Sequence, residues 1–174
     1  MDILNQTDCK GIGLGLESGN DATLKLIGKG FTTFESEKAI RNLSNIGIKS
    51  YGYFIVGFPW EDENQIRQTL DFAYNLSRKY SFKAGVVPYK VYPGSKDFRK
   101  IVGENPSRGK IDKLIRFKSA ALTHPNDSAE IREFLKGRER YTVLHDPEYY
   151  NPSTIDPQKI VWYIREFYLR SRFS

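Results

Sequence analysis

The sequence predicts an α/β fold: three parallel strands joined by crossover helices, followed by a helical C-terminal region. Three observations lead there. Residues 11–17 alternate glycine with aliphatics, and further strand-like runs follow at 51–57 and 84–91. Capped helical patterns fill the gaps, and crossovers of that length imply parallel pairing with right-handed connections. Beyond residue 96 the periodicity turns helical and ends in an amphipathic segment after Asp156-Pro157.

The first run, "GIGLGLESGN", is not a phosphate cradle. In the G-x-G-x-x-G frame the third glycine falls on Leu16 or Ser18, and no G-K-[ST] follows. As a strand it has two unlike faces: Ile12, Leu14 and Leu16 on one, Gly11, Gly13, Gly15 and Glu17 on the other. The aliphatic face can pack against helices, whereas bare backbone ending in one acid admits a close approach. A carboxylate at a strand's end, just before a helix, lies where α/β sheets bind ligands. The alternative these residues leave open is a glycine-rich bend with a solvated glutamate. Ser18 and Asn20 both offer N-caps for a short helix to about Leu26.

Thr32 with Glu35 forms a capping box for a helix to about Ile46, striped by Ala39, Ile40, Leu43 and Ile46 and ended by Gly47. "IKSYGYFIVGFP" reads as a buried parallel strand. Asp62 and Gln65 cap a third helix bearing Ile66, Leu70, Ala73 and Leu76. "KAGVVPYKVYPG" is a strand whose Pro88 argues for an edge or a bulge. Residues 109–122 and 127–139 look helical, and "VLHDPEYYNPSTIDP" reads as a loop. The last helix carries Ile160, Val161, Ile164, Phe167 and Tyr168 on one stripe. The expected division is therefore 1–95 and 96–174. A sheet this small leaves open edges, so self-association or cover by the last helix is expected.

Composition narrows the classes. The 174 residues suffice for one sizeable core, and the apolar run from Tyr51 to Pro59 is too short to span a bilayer. No signal peptide is visible, and a cytoplasmic location without membrane contact is expected. Cys9 is the single cysteine, which excludes an internal disulfide and any multi-cysteine metal or cluster site carried by this chain alone. The net charge of +6 is spread over helices and loops and reads as solvated helix faces, with no nucleic-acid-binding motif beside it. His124 and His145, next to Pro and Asp-Pro, read as solvent-exposed structural residues.

"GIGLGLESGNDATLKLIGKGFT", "GYFIVGFPWEDENQIRQTLDFA" and "VYPGS", in this order and spacing, resemble the C-terminal half of a radical S-adenosylmethionine enzyme barrel over residues 9–95. The flavour is that of the cobalamin-binding and methylthiotransferase-like branches, whose helix after the barrel "YIREFYLR" also resembles. The resemblance implies a partial (β/α) barrel fragment in which 11–17, 51–57 and 84–91 are the fourth to sixth strands. It further implies S-adenosylmethionine as cofactor, a 4Fe-4S cluster on a C-x-x-x-C-x-x-C loop absent from this chain, and cobalamin in the parent as an option. The chain would then be a fragment of a longer enzyme or half of a split one, inactive alone and completed by the N-terminal half of the barrel. The parent reaction would be radical-initiated methyl transfer, methylthiolation or related C–H functionalisation, on a small-molecule or RNA substrate. The contrasting expectation is a non-catalytic binding or assembly module that keeps the half-barrel scaffold.

By this resemblance Glu17, with Ser18 beside it, meets the methionine amino group or ribose, and Gly13 and Gly15 leave room for the cofactor. Lys29 reaches the methionine carboxylate; its alternative is an exposed lysine in a Gly-Lys-Gly turn. Gly57, Phe58 and Pro59 lie against the adenine, and Tyr89 and Val91 are candidates for the adenine wall. Trp60 stands where the family commonly has glycine, and Asp62 where it commonly has threonine. No catalytic residue and no metal ligand is expected on this chain.

Overall fold

The computed structural model of the chain describes residues 4, 6–146, 148 and 151–173. A parallel sheet of order β1-β2-β3 is formed by β1 (Gly11–Glu17), β2 (Lys49–Val56) and β3 (Phe82–Pro88). The crossovers carry α1 (Asp21–Leu26) and α2 (Thr33–Asn45) between the first two strands, and α3 (Glu63–Lys79) between the last two. The expected parallel α/β unit is therefore present, with its strands adjacent and in sequence order.

Local chemistry sets the boundaries. Thr32 and Glu35 close a full capping box on α2, and Asp62 and Gln65 close one on α3. Of the two candidate caps for α1, Asn20 takes the role, its side chain accepting from Thr23 N. Ser18 is occupied elsewhere: its hydroxyl lies 3.0 Å from Thr69 Oγ1 and accepts from Asn20 N at 3.1 Å. Pro88 is the last residue of an outer strand, where a missing N–H costs no ladder bond.

The two faces of the sheet differ as the alternation requires. Leu16, Phe54, Val56 and Val86 are buried against Ile40, Ile66, Ala73 and Leu76 of the helices. Tyr53, on the opposite face, is 48% exposed. The same core takes in Ile160, Ile164, Phe167 and Tyr168 of the last helix, Pro157–Arg172. Tyr168 reaches across to β3, where its hydroxyl accepts from Val86 N at 3.2 Å and donates to Val86 O at 3.3 Å. Burial pushes its pKa up to about 12.

Between β3 and that helix the sequence-based expectations need correction. The expected helix at 109–122 is only α5 (Arg108–Leu114), preceded by α4 (Lys96–Val102). The chain then enters β4 (Phe117–Ser119), which pairs antiparallel with β5 (Val143–His145) inside the stretch expected to be loop. The expected helix at 127–139 is α6 (Ala129–Lys136), followed by a 3-10 turn at Glu139–Tyr141; the last helix is thus α7. His145 was expected at the surface and is buried instead. Its Nε2 accepts from Val91 N at 2.7 Å, and the Phe117 ring lies 4.9 Å away. Burial pulls its pKa down. His124 is exposed as expected. No helix among the described residues is long and apolar enough to cross a membrane.

Candidate functional site

Two groups of residues meet at the carboxyl end of the sheet. The first begins at a register shift between Gly15 and Glu17, where Glu17 takes φ = +65°, a left-handed conformation that costs an L-residue about 1–3 kcal/mol. The twist swings the carboxylate back over β1. A Cβ at Gly15 would sit 2.8 Å from Glu17 Oε1 and 3.7 Å from Lys29 Nζ, so the two charged groups lie in the space that the bare backbone of Gly15 leaves. Lys29 arrives from the turn after α1, which Gly28 makes at φ = +75°. Its Nζ donates to Glu17 Oε1 at 3.2 Å and to Gly15 O at 3.3 Å. The two side chains keep 21% and 31% of their surface exposed, so the ion pair is both held and reachable.

The second group is the turn "GFPWE" after β2. Gly57 turns at φ = +83°, and a Cβ there would lie 2.7 Å from Ile160 Cδ1 of α7. Glu61 organises the turn from within and is almost wholly buried. Its Oε2 accepts from Gly57 N at 2.8 Å and Phe58 N at 3.1 Å, and its Oε1 from Thr23 Oγ1 at 3.2 Å. Burial pushes its pKa up, while these three donors pull the other way. Glu61 thus ties α1 to the β2 turn and sets the spacing between the two groups. The sequence reading assigned it no role, although the quoted motif ends on it. The only signal was its place three residues after Phe58, within reach of those amides.

Above the turn the Phe58 ring stacks on Trp60 at 5.1 Å and 15°, and Tyr89 lies tilted against it at 4.7 Å and 38°. Tyr89 is fixed by a 2.6 Å hydrogen bond from its hydroxyl to Asp97. Pro59 is half-buried, and Trp60 is 38% exposed. The fold therefore brings Glu17 together with Lys29, and Gly57, Phe58 and Pro59 together with Tyr89. Ser18 and Val91 are engaged otherwise. Ser18 is buried against Thr69, and Val91 packs with Phe98, Val102 and Leu114 in a satellite cluster. Among the described residues no group of three or more His, Cys, Asp or Glu could hold a metal ion.

The described strands form a parallel α/β unit with a charged pair at its strand ends, and sequence comparison shows what this part of the chain is similar to. Residues 1–73 match the family model of the Radical SAM superfamily. The chain is 29% identical over 102 residues to an uncharacterized methyltransferase of Pyrococcus horikoshii, covering 59% of this chain and 22% of that protein. It is 40% identical over 73 residues to the tRNA-2-methylthio-N(6)-dimethylallyladenosine synthase of Buchnera aphidicola, covering 40% and 16%. To the synthase of that name from Pelobacter propionicus it is 29% identical over 149 residues, covering 84% and 32%. The chain thus spans no more than 32% of the length of these relatives. The resemblance read from the motifs is borne out, and it is to a superfamily that uses S-adenosylmethionine and an iron–sulfur cluster.

Proposed function

We propose that the unit from β1 to β3 is the cofactor-side half of a radical S-adenosylmethionine enzyme, with residues 96–174 as its extension. The reaction of the whole protein is radical-initiated methyl transfer, methylthiolation or a related C–H functionalisation. The observation that carries this reading is the Glu17–Lys29 pair poised over Gly15 at the end of β1. An amino acid zwitterion matches that pair: its ammonium replaces Lys29 at Glu17, and its carboxylate replaces Glu17 at Lys29. The Tyr89 ring, tilted against the buried Phe58, and the half-buried Pro59 supply a largely apolar surface for the adenosine end. S-adenosylmethionine supplies radical-initiating chemistry when an iron–sulfur cluster reduces it. Such a cluster needs several thiolates and this chain has one cysteine, so the cluster ligands come from another segment or partner, and the chain alone does not cleave the cofactor. That partner fits the open edge of β1 as the remaining strands of the barrel.

Each charge-assisted contact in a sheltered site is worth about 1.5–3 kcal/mol, and solvent access lowers this here. Calorimetric titration of S-adenosylmethionine into the chain should therefore show binding between low millimolar and micromolar. Glu17→Gln and Lys29→Met should each weaken it about tenfold, a loss of about 1.4 kcal/mol. Unchanged affinity in both variants overturns the assignment.

A further inference from the structure

Tyr89 is the last residue of the candidate site that the parallel sheet holds, its N–H donating to Val56 O at 2.8 Å. Its further anchors come from outside the sheet. Its hydroxyl bonds Asp97 of α4, and two residues on, the Val91 N–H donates to His145 Nε2 of β5 at 2.7 Å. Val91 and His145 are both buried, so this bond is shut away from water. The Phe117 ring of β4 packs on the imidazole at 4.9 Å. Elsewhere a crevice of about 10 Å³ joins His145 to Tyr89, Gly57 and Ile160. At that size it holds no more than a single water.

The bond works in one direction only. A backbone N–H can only donate, so the ring nitrogen that faces it must carry a lone pair, and an imidazolium has none. Protonation would set N–H against N–H in a buried place with next to no room for water. The charges nearby do not relieve it. Lys90, beside Val91, adds a like charge. Asp146, just past β5, is bonded by Lys118 of β4 at 3.0 Å and faces Arg116 as well. Asp97 of α4 is taken by Tyr89 and Lys100. Burial, opposed by the Leu114 backbone and aided by Lys90, holds the imidazole pKa below its ordinary 6.5. The unfolded or unlatched segment therefore takes the proton first, and the latch is lost as pH falls below about 6.5.

We propose that His145 is a positioning residue for Tyr89, a latch that holds the Tyr89–Val91 segment in place only while its imidazole is neutral. Any ligand lying on Tyr89 is then bound less well in acid. For S-adenosylmethionine this consequence rests on the function proposed for the site, whereas the latch itself does not.

The test compares the full chain with His145→Gln, whose amide oxygen accepts at every pH, and with His145→Leu, which never accepts. Protection of the Val91 and Tyr89 amides against hydrogen exchange, corrected for the intrinsic rate, is read at pH 7.5 and 5.5. A proton taken up by the open form alone shifts the opening ratio by at most about tenfold per pH unit, so the wild-type chain should lose about three- to tenfold. His145→Gln should hold its protection within about twofold, and His145→Leu should be poorly protected at both pH values. The other histidine, His124, is exposed, and His124→Gln should behave as the wild type does. Calorimetric affinity for S-adenosylmethionine should fall about threefold more in the wild type than in His145→Gln, since Glu17 and Glu61 titrate in both chains and cancel. Protection that falls equally in the wild type and His145→Gln overturns the latch. Protection lost at Val91 but kept at Tyr89 overturns the positioning. A wild-type chain that binds no cofactor at pH 7.5 fails the function proposed for the site, and the exchange at Tyr89 and Val91 still decides the latch.

Discussion

The two edges of the three-stranded sheet are finished in opposite ways. The outer edge of β3 is closed: Tyr168 bonds both polar groups of Val86, and just beyond the strand His145 accepts from Val91 N. Phe167 and Ile164 bury the same flank. The outer edge of β1 has no strand beside it among the described residues, and its carbonyls at Gly11 and Gly15 are met by side chains, from Cys9 at 3.5 Å and Lys29 at 3.3 Å. An unpaired edge beside a glycine-rich face is a template for another strand. The contrast teaches that the sheet is covered where α7 packs on it and, among the described residues, open at β1, the strand that ends on Glu17 of the charged pair.

The largest expected effect compares the flanks directly. Ile164→Ala, at a fully buried site under the closed edge, should cost about 2–5 kcal/mol in urea unfolding. Ile12→Ala, half-exposed on β1, should cost less than about 1 kcal/mol. Equal costs would mean that the β1 flank is as tightly packed as the other, and the asymmetry would be gone.

Next in size is the turn between the edges. Glu61→Ala strands the amides of Gly57 and Phe58 and the Thr23 hydroxyl, and should cost about 2–4 kcal/mol. Glu61→Gln can still accept from the amides and should cost far less. Burial raises the pKa of Glu61 above its ordinary 4.5, so the folded chain holds that proton more tightly than the unfolded chain. Its contribution to stability therefore falls as pH rises from about 4.5 through the raised value, and is level above it. Stability measured against pH should lose that slope in Glu61→Gln; an unchanged slope would assign it to another group.

A smaller change opens the closed edge itself. Tyr168→Phe keeps the ring in the core and removes the hydroxyl from Val86, for about 1–2 kcal/mol. Hydrogen exchange at the Val86 amide should quicken in this variant while Phe54 stays protected. Exchange unchanged at Val86 would show that the hydroxyl does not seal the edge.

Much of the parallel unit was legible because each element announces itself locally. The glycine–aliphatic alternation fixes β1, and Thr32–Glu35 and Asp62–Gln65 mark helix starts by their own hydrogen bonds. The short β4–β5 pair was not legible, since three residues per strand carry no period and their pairing is decided across the chain. His145 looked like a surface residue beside Asp-Pro, and its burial comes from β3 and β4 folding over it. In the site, Glu17 and Lys29 stood out as charges beside glycines. Glu61 did not, because its partners are two backbone amides and a hydroxyl from α1 that lies 38 residues away in the chain.

The most direct measurement pairs stability with binding in Glu17→Gly. Glycine adopts φ = +65° without strain, so if Glu17 is kept there for a ligand, replacing it should make the chain more stable by about 1 kcal/mol in urea unfolding. The same variant should bind S-adenosylmethionine about tenfold more weakly by calorimetry, having lost one charge-assisted contact. A gain in stability with a loss of affinity is the result expected of a strained binding residue. A less stable chain that binds the cofactor as well as before would contradict the account.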